Sequence, residues 1–134
     1  MRKAEHSDLA WFIEAGRAFC EHTPFEFDEG SYANACMTLI DSPEVISAVG
    51  DRCHCLALLV PNFYNGNEII AKVFTIWGNG GLKCFREVER QAKERGAKFI
   101  LADSFVEPRL CKFYERHGMT LTDSVYLKEV NDGH

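Results

Sequence analysis

The residues best placed to do chemistry begin with a tyrosine, in the run Leu110-Cys111-Lys112-Phe113-Tyr114-Glu115-Arg116-His117-Gly118-Met119. Pro108 suits the first turn of a helix, where its missing N–H has no partner to lose, and Gly118 suits the left-handed position just past the end. A helix of about three turns is predicted between them, followed by a final strand. Leu110, Phe113 and Tyr114 fall at i, i+3 and i+4, so one face carries the Tyr114 phenol, which can donate a proton. Gly78-Asn79-Gly80-Gly81 is a different kind of site. Glycine lets backbone approach a ligand closely, and the N–H groups opening the next helix carry partial positive charge, which together suit a phosphate. The same four residues also fit a tight strand-to-helix turn with no ligand. Asp103 ends a predicted strand, at the usual ligand edge of an α/β sheet. It can serve there as a general base or cap the following turn with Ser104.

The elements that must position these groups are legible on either side of the glycines. Ile69 to Trp77 is apolar and β-branched with Lys72 its only charge, a largely buried strand. Leu82 to Arg95 is a helix with Leu82, Phe85, Val88 and Ala92 on one stripe, and Gly96 stops it. Lys98 to Asp103 is a second buried strand, and a strand–helix–strand unit of this length implies parallel pairing with a right-handed crossover. Upstream, Ser7 or Asp8 can open a helix running to about Glu21 with Leu9, Phe12, Ile13, Gly16 and Phe19 inward. After an acidic, aromatic link, a second helix starts at Ser31, buries Tyr32, Cys36, Leu39 and Ile40, and breaks at Asp41-Ser42-Pro43. Glu44 to Val49 and Arg52 to Val60 are strands joined at Gly50-Asp51, and Asn65-Gly66-Asn67 turns the chain into the Ile69 strand.

The chain has 134 residues and 46% hydrophobic composition, which fits one compact domain over 1–134. It contains neither a run of about eighteen apolar residues nor a charged-then-apolar leader, so a cytoplasmic protein without membrane contact is expected. A net charge of −5, with Lys and Arg interleaved among Glu, argues against nucleic acid as a partner. The six cysteines contain no C-x-x-C pair. They are expected to be free, small buried hydrophobes. Cys53 and Cys55 share a strand face that His54 does not, so no metal is expected.

With these elements in place the chain resembles the GNAT superfamily of acetyl-coenzyme A-dependent N-acetyltransferases, in the manner of compact, divergent members found in bacteria and phages. The likeness lies in the strand, glycine turn and helix closing with Glu94-Arg95-Gly96-Ala97-Lys98, and in Phe113-Tyr114-Glu115-Arg116-His117-Gly118-Met119, which looks like the family's LYEKxGF signature. Met1-Arg2-Lys3-Ala4 and Ser7-Asp8-Leu9 resemble the short first strand and helix start of many members. The resemblance implies a mixed, mostly antiparallel central sheet flanked by helices, splayed where the cofactor enters. It implies acetyl-CoA as cosubstrate, its pyrophosphate on the glycine turn and its pantetheine arm along the preceding strand end. Phe74, Thr75, Ile76, Gly78, Asn79, Gly80, Gly81, Leu82 and Lys83 are the matching residues. Counting back from Gly96-Ala97 makes Gly81 the last motif glycine, with Asn79 replacing the middle one and Ile76 the usual Gln or Arg. A shorter turn would use Gly78 and Gly80 instead.

Tyr114 then stands at the family's tyrosine, which protonates the departing thiolate, while Glu107 stands where many relatives have an asparagine. The attacking amine must be neutral, and Asp103 is the candidate base, with His22, His54 and Glu68 as further possibilities. The link Phe25, Glu26, Phe27, Asp28 and Glu29 can attract a cationic amine to an apolar wall, or be a solvated loop. The activity expected is acetyl transfer to a primary amine, of a small molecule or a protein, by direct attack, in a monomer or homodimer. The alternative is a catalytically inactive GNAT-like module that binds a host or partner protein.

Overall fold

The computed structural model describes residues 1–103, 108–122 and 126–130. A 3₁₀ turn at His6–Asp8 leads into helix α1 (Leu9–Cys20), and α2 (Glu29–Asp41) follows. Strands β1 (Val45–Val49), β2 (Cys53–Asn62) and β3 (Asn65–Gly78) come next, then α3 (Gly81–Glu94), β4 (Ala97–Ala102) and α4 (Pro108–Arg116). Among the described residues the strands form one sheet in the order β1-β2-β3-β4. Its β1–β2 and β2–β3 pairings are antiparallel and β3–β4 is parallel, the mixed, mostly antiparallel α/β sheet expected from the sequence. No described helix is long and apolar enough to cross a membrane.

Strand alternation gives the sheet two faces. On one, Cys53, Cys55, Ala57 and Leu59 of β2 meet Phe85, Val88 and Ala92 of α3. On the other, Val45, Val49 and Leu56 meet Phe12 of α1 and Cys36 of α2. That second face is covered chiefly over β1 and β2: β4, expected to be buried, leaves Phe99 and Leu101 exposed because no described helix lies over them. The two helices on that second face approach closely because Gly16 leaves room for Tyr32, whose ring a Cβ at position 16 would overlap. Asp28 caps α2, its carboxylate accepting the Ser31 N–H at 2.9 Å. Arg2 bridges to Val49 beside β1 and donates to both carboxylate oxygens of Asp8, at 2.8 and 2.7 Å.

Some expectations need correction. Asp8 does not cap α1; it is buried, turned back onto Arg2 and onto the Glu5 N–H at 2.8 Å. The β2–β3 hairpin turns at Phe63-Tyr64, because Asn62 accepts the Tyr64 N–H at 3.1 Å and already pairs with Asn65. No strand follows α4 among the described residues: Leu121, Tyr126 and Val130 are almost fully exposed, and a strand there would need a face to bury them against. The cysteines are not all free. Cys53 and Cys84, with Cα atoms 6.4 Å apart, form a disulfide that ties the start of β2 to the first turn of α3. Sequence spacing misses this pair because only tertiary packing lays α3 across the β2 face that carries Cys53.

Candidate active site

Strand β3 outlasts its parallel partner. Its pairing with β4 ends at Val73↔Ala102, whereas its pairing with β2 continues to Cys53↔Gly78. Among the described residues, 74–78 therefore have no neighbouring strand on their outer edge. Unpaired edge N–H and C=O groups are a template for an extended ligand.

The same stretch contains a β-bulge. Leu56 pairs with Thr75 but Ala57 pairs with Val73, so Phe74 is an extra residue and the alternation of side chains changes phase there. Val73 points into the α3 core, and in an unbroken strand Thr75 would follow it. After the bulge it is Ile76 that packs on the α3 side. Thr75 turns toward α1, its hydroxyl 3.2 Å from Nε2 of His54. His54 is fully buried, with the rings of Trp11 and Phe12 edge-on at 4.9 and 4.5 Å.

Strand β3 ends in the glycine turn. Gly78 and Gly80 have φ of 94° and 81°, and Gly80 is the N-cap of α3 with no side chain bonded to the helix start. Among the described residues the opening N–H groups of α3 are thus not taken by a capping side chain, which is what an anion site requires. Of the two possible motif alignments, the positive φ angles fall on Gly78 and Gly80, while Gly81 is already the first residue of α3.

An open cleft of about 1360 Å³ runs from this turn along the end of β3 to the α1–α2 link. It exceeds the roughly 300–1,000 Å³ of ordinary small-molecule sites, as an elongated cosubstrate with a second substrate would need. Tyr114 of α4 lines it and is 8% exposed. Burial pushes its phenol well above the ordinary tyrosine range, and nearby Cys55, Asp103 and Cys111 add to the shift, so the hydroxyl keeps its proton at neutral pH. Arg52 and Arg109, both exposed, add guanidinium charge to the lining.

A glucosamine-6-phosphate N-acetyltransferase of Arabidopsis thaliana matches 97% of this chain and 97% of its own at 16% identity and a TM-score of 0.67. A Clostridium acetobutylicum protein solved with acetyl-CoA and named as a predicted acetyltransferase matches 96% of this chain and 94% of its own at 13% identity and a TM-score of 0.73. The fold is that of the GNAT acetyltransferases. A transcriptional regulator of Bacillus halodurans shares it at 15% identity and a TM-score of 0.72, over 96% of this chain and 97% of its own, so the GNAT fold alone does not fix activity. By sequence, no protein-family model and no curated protein matches.

Within this GNAT fold the expected site residues fall into distinct groups. Phe74, Thr75, Ile76 and Gly78 line the cleft from β3, Asn79, Gly80, Gly81 and Leu82 from the turn, and Phe25, Glu26, Phe27 and Asp28 from the link. Lys83 and Glu29 are not among the described lining residues. Asp28 and Glu29 hold the link itself: Asp28 is held below the usual carboxylate range by its bonds to Ser31, and Glu29 pairs with Arg17. The Phe27 and Tyr32 ring centroids are 5.3 Å apart, and the Arg17 guanidinium lies 5.3 Å from the Phe27 ring centroid.

Asp103 follows β4 directly and acts on Tyr114 through space, but it is not among the described residues lining the cleft. Glu68 is tied to Lys98 at 2.7 Å and Asn62 at 3.1 Å near the opposite end of β3. His22 lines the cleft beyond the end of α1. Ser104 and Glu107 lie outside the described residues. Arg52, Arg109 and Trp77 also line the cleft and were not singled out from the sequence. A lone arginine in a turn or a helix start carries no spacing signal, and only the fold brings these two to one opening.

Proposed function

We propose that this chain is an acetyltransferase, a single domain that moves an acetyl group from acetyl-CoA to an amine by direct attack. The observation that carries this is the free edge of residues 74–78, which leads into an uncapped helix start and passes Tyr114 within one cleft. A pantetheine arm is an extended chain with amide groups that can pair with such an edge. The pyrophosphate fits the backbone of Gly78 to Leu82, with Arg52 and Arg109 as counter-charges. Acetyl-CoA supplies an activated acyl group; the protein supplies position and protons. Tyr114 gives its proton to the departing thiolate, and the amine arrives past Phe25, Glu26 and Phe27. Direct attack is favoured because the cleft's free thiol, Cys20, has its S–H turned onto the Phe25 carbonyl at 3.3 Å, without an activating imidazole in that contact.

Calorimetric titration with acetyl-CoA tests this. Saturable binding in roughly the micromolar range is expected. No binding at about millimolar concentration would overturn the proposal and turn attention to protein partners.

A further inference from the structure

We propose that the Thr75 hydroxyl is a hydrogen-bond donor aimed at the oxygen of the acyl carbonyl, held in that role by the buried imidazole of His54. The proposal rests on the acetyltransferase reading above and assigns a carbonyl-binding side chain within it.

The bulge at Phe74 is what brings Thr75 to the cleft instead of the α3 core. Behind it, His54 is fully buried, and among the described residues its Nδ1 has no hydrogen-bond partner. Trp11 and Phe12 of α1 enclose the ring, Asp8 of the 3₁₀ turn acts on it only through charge, and Thr75 of β3 meets its Nε2 at 3.2 Å. Burial drives the imidazole's pKa down to about 4, so at neutral pH it holds one N–H and one lone pair. A buried N–H left without a partner is rarer than an under-satisfied acceptor. The proton therefore belongs on Nε2, the nitrogen that has a partner, and Nε2–H donates to Thr75 Oγ1. Having accepted there, the hydroxyl keeps its own proton to give, and the open direction is the cleft.

The carbonyl oxygen is the acceptor this donor suits. Thr75 lies within the free edge of residues 74–78 on the α1 face, whereas Tyr114 approaches from α4 and is influenced by Cys55 of the α3 face. Carbonyl and sulfur are thus served from different sides of the sheet. The amine lone pair forms the new C–N bond while the carbonyl π pair moves onto oxygen, where the Thr75 O–H holds it. Return of that pair breaks the C–S bond, the sulfur takes the Tyr114 proton, and the proton shed by the amine nitrogen restores the phenol through solvent. Atoms and charge balance without another reactant. Such a donor strengthens as charge gathers on oxygen, which is how it aids the reaction.

Acetyl-CoA and CoA, which differ only in the acetyl group, are titrated in parallel into the wild-type protein, Thr75→Val and Thr75→Ser. Valine is expected to weaken acetyl-CoA binding about three- to ten-fold while leaving CoA unchanged, and serine to restore it. Equal loss of both ligands, or of neither, overturns the role of Thr75 and leaves the acetyltransferase reading standing. A wild-type protein that binds neither ligand overturns both. Nitrogen NMR of the wild-type ring gives an independent reading of the positioning residue: His54 is expected to carry its proton on Nε2 at neutral pH, and a proton on Nδ1 overturns the proposal.

Discussion

The carbonyl of Arg52 occupies the space that a Cβ at Gly78 would need. Gly78 also has a φ of 94°, so the last β2–β3 pair, Cys53↔Gly78, depends on glycine both for close approach and for backbone conformation. Gly80 differs: its φ is 81°, but a Cβ there would meet open space. Gly78→Ala should therefore cost more than about 2 kcal/mol and weaken acetyl-CoA binding, whereas Gly80→Ala should cost about 1 kcal/mol from backbone strain alone. Chemical denaturation of both variants checks this. Equal costs would mean that the turn is free to move away from Arg52.

Arg52 and Arg109 reach the cleft from a turn and a helix start far apart in sequence. Both are exposed, so charge reversal should leave folding within about 0.5 kcal/mol of wild type. If they face the phosphates, Arg52→Glu and Arg109→Glu should each weaken acetyl-CoA binding by roughly ten-fold or more at low salt, and less at high salt. Titrations at two ionic strengths measure this. Unchanged affinity would move the phosphates elsewhere along the cleft.

Burial holds His54 down to a pKa of about 4, against the ordinary 6.5. The unfolded chain therefore takes up a proton that the folded one refuses as pH falls between these values. This stabilisation is complete above about pH 6.5 and is lost toward pH 4, at up to about 1.4 kcal/mol per pH unit and of order 3 kcal/mol in all. Asp8 titrates below this window, because Arg2 holds its carboxyl below the usual range. Denaturation midpoints at stepped pH should fall across the window in the wild type and much less in His54→Asn. A wild type as flat as the variant would mean that the ring is hydrated.

The strand–turn–helix–strand core was legible because each piece carries its own period: β-branched residues at Ile69 to Trp77, glycines, then a stripe from Leu82 to Ala92. Tyr114 was legible for a similar reason, since Pro108 and Gly118 bound its helix. What the sequence could not reveal is relational. The bulge at Phe74 changes no residue type, yet it decides which face Thr75 takes. Asp28 reads as a loop charge until its bond to Ser31 makes it a cap. The α4 segment promised a following strand, but Leu121 and Val130 have no described face to bury against.

Cys53 and Cys84 close a loop between residues 31 apart in sequence, and the bond fixes α3 over the start of β2, which pairs with Gly78 at the cleft end of β3. In the loop-entropy account such a link contributes roughly 3–4 kcal/mol by restricting the unfolded chain. The Cys53→Ala/Cys84→Ala double variant should be destabilised by about that amount, and reductant should lower the wild-type midpoint without moving the variant's. Thiol alkylation followed by mass measurement reads the bond directly. Six alkylated cysteines in the non-reduced folded protein after denaturation would mean that the thiols remain apart.

Burial keeps Tyr114 protonated at neutral pH, so it has a proton to give to a thiolate and no phenolate to serve as a base for an amine. The Phe113 ring lies 5.8 Å away, and removing one oxygen from Tyr114 leaves that ring contact intact. Tyr114→Phe should bind acetyl-CoA within about three-fold of wild type, yet release CoA thiol some 10²- to 10⁴-fold more slowly at saturating cosubstrate, with any amine found to be acetylated. A loss confined to affinity would recast Tyr114 as part of the binding wall. Unchanged release would show that the leaving thiolate takes its proton from solvent, and that burial of this phenol serves the fold alone.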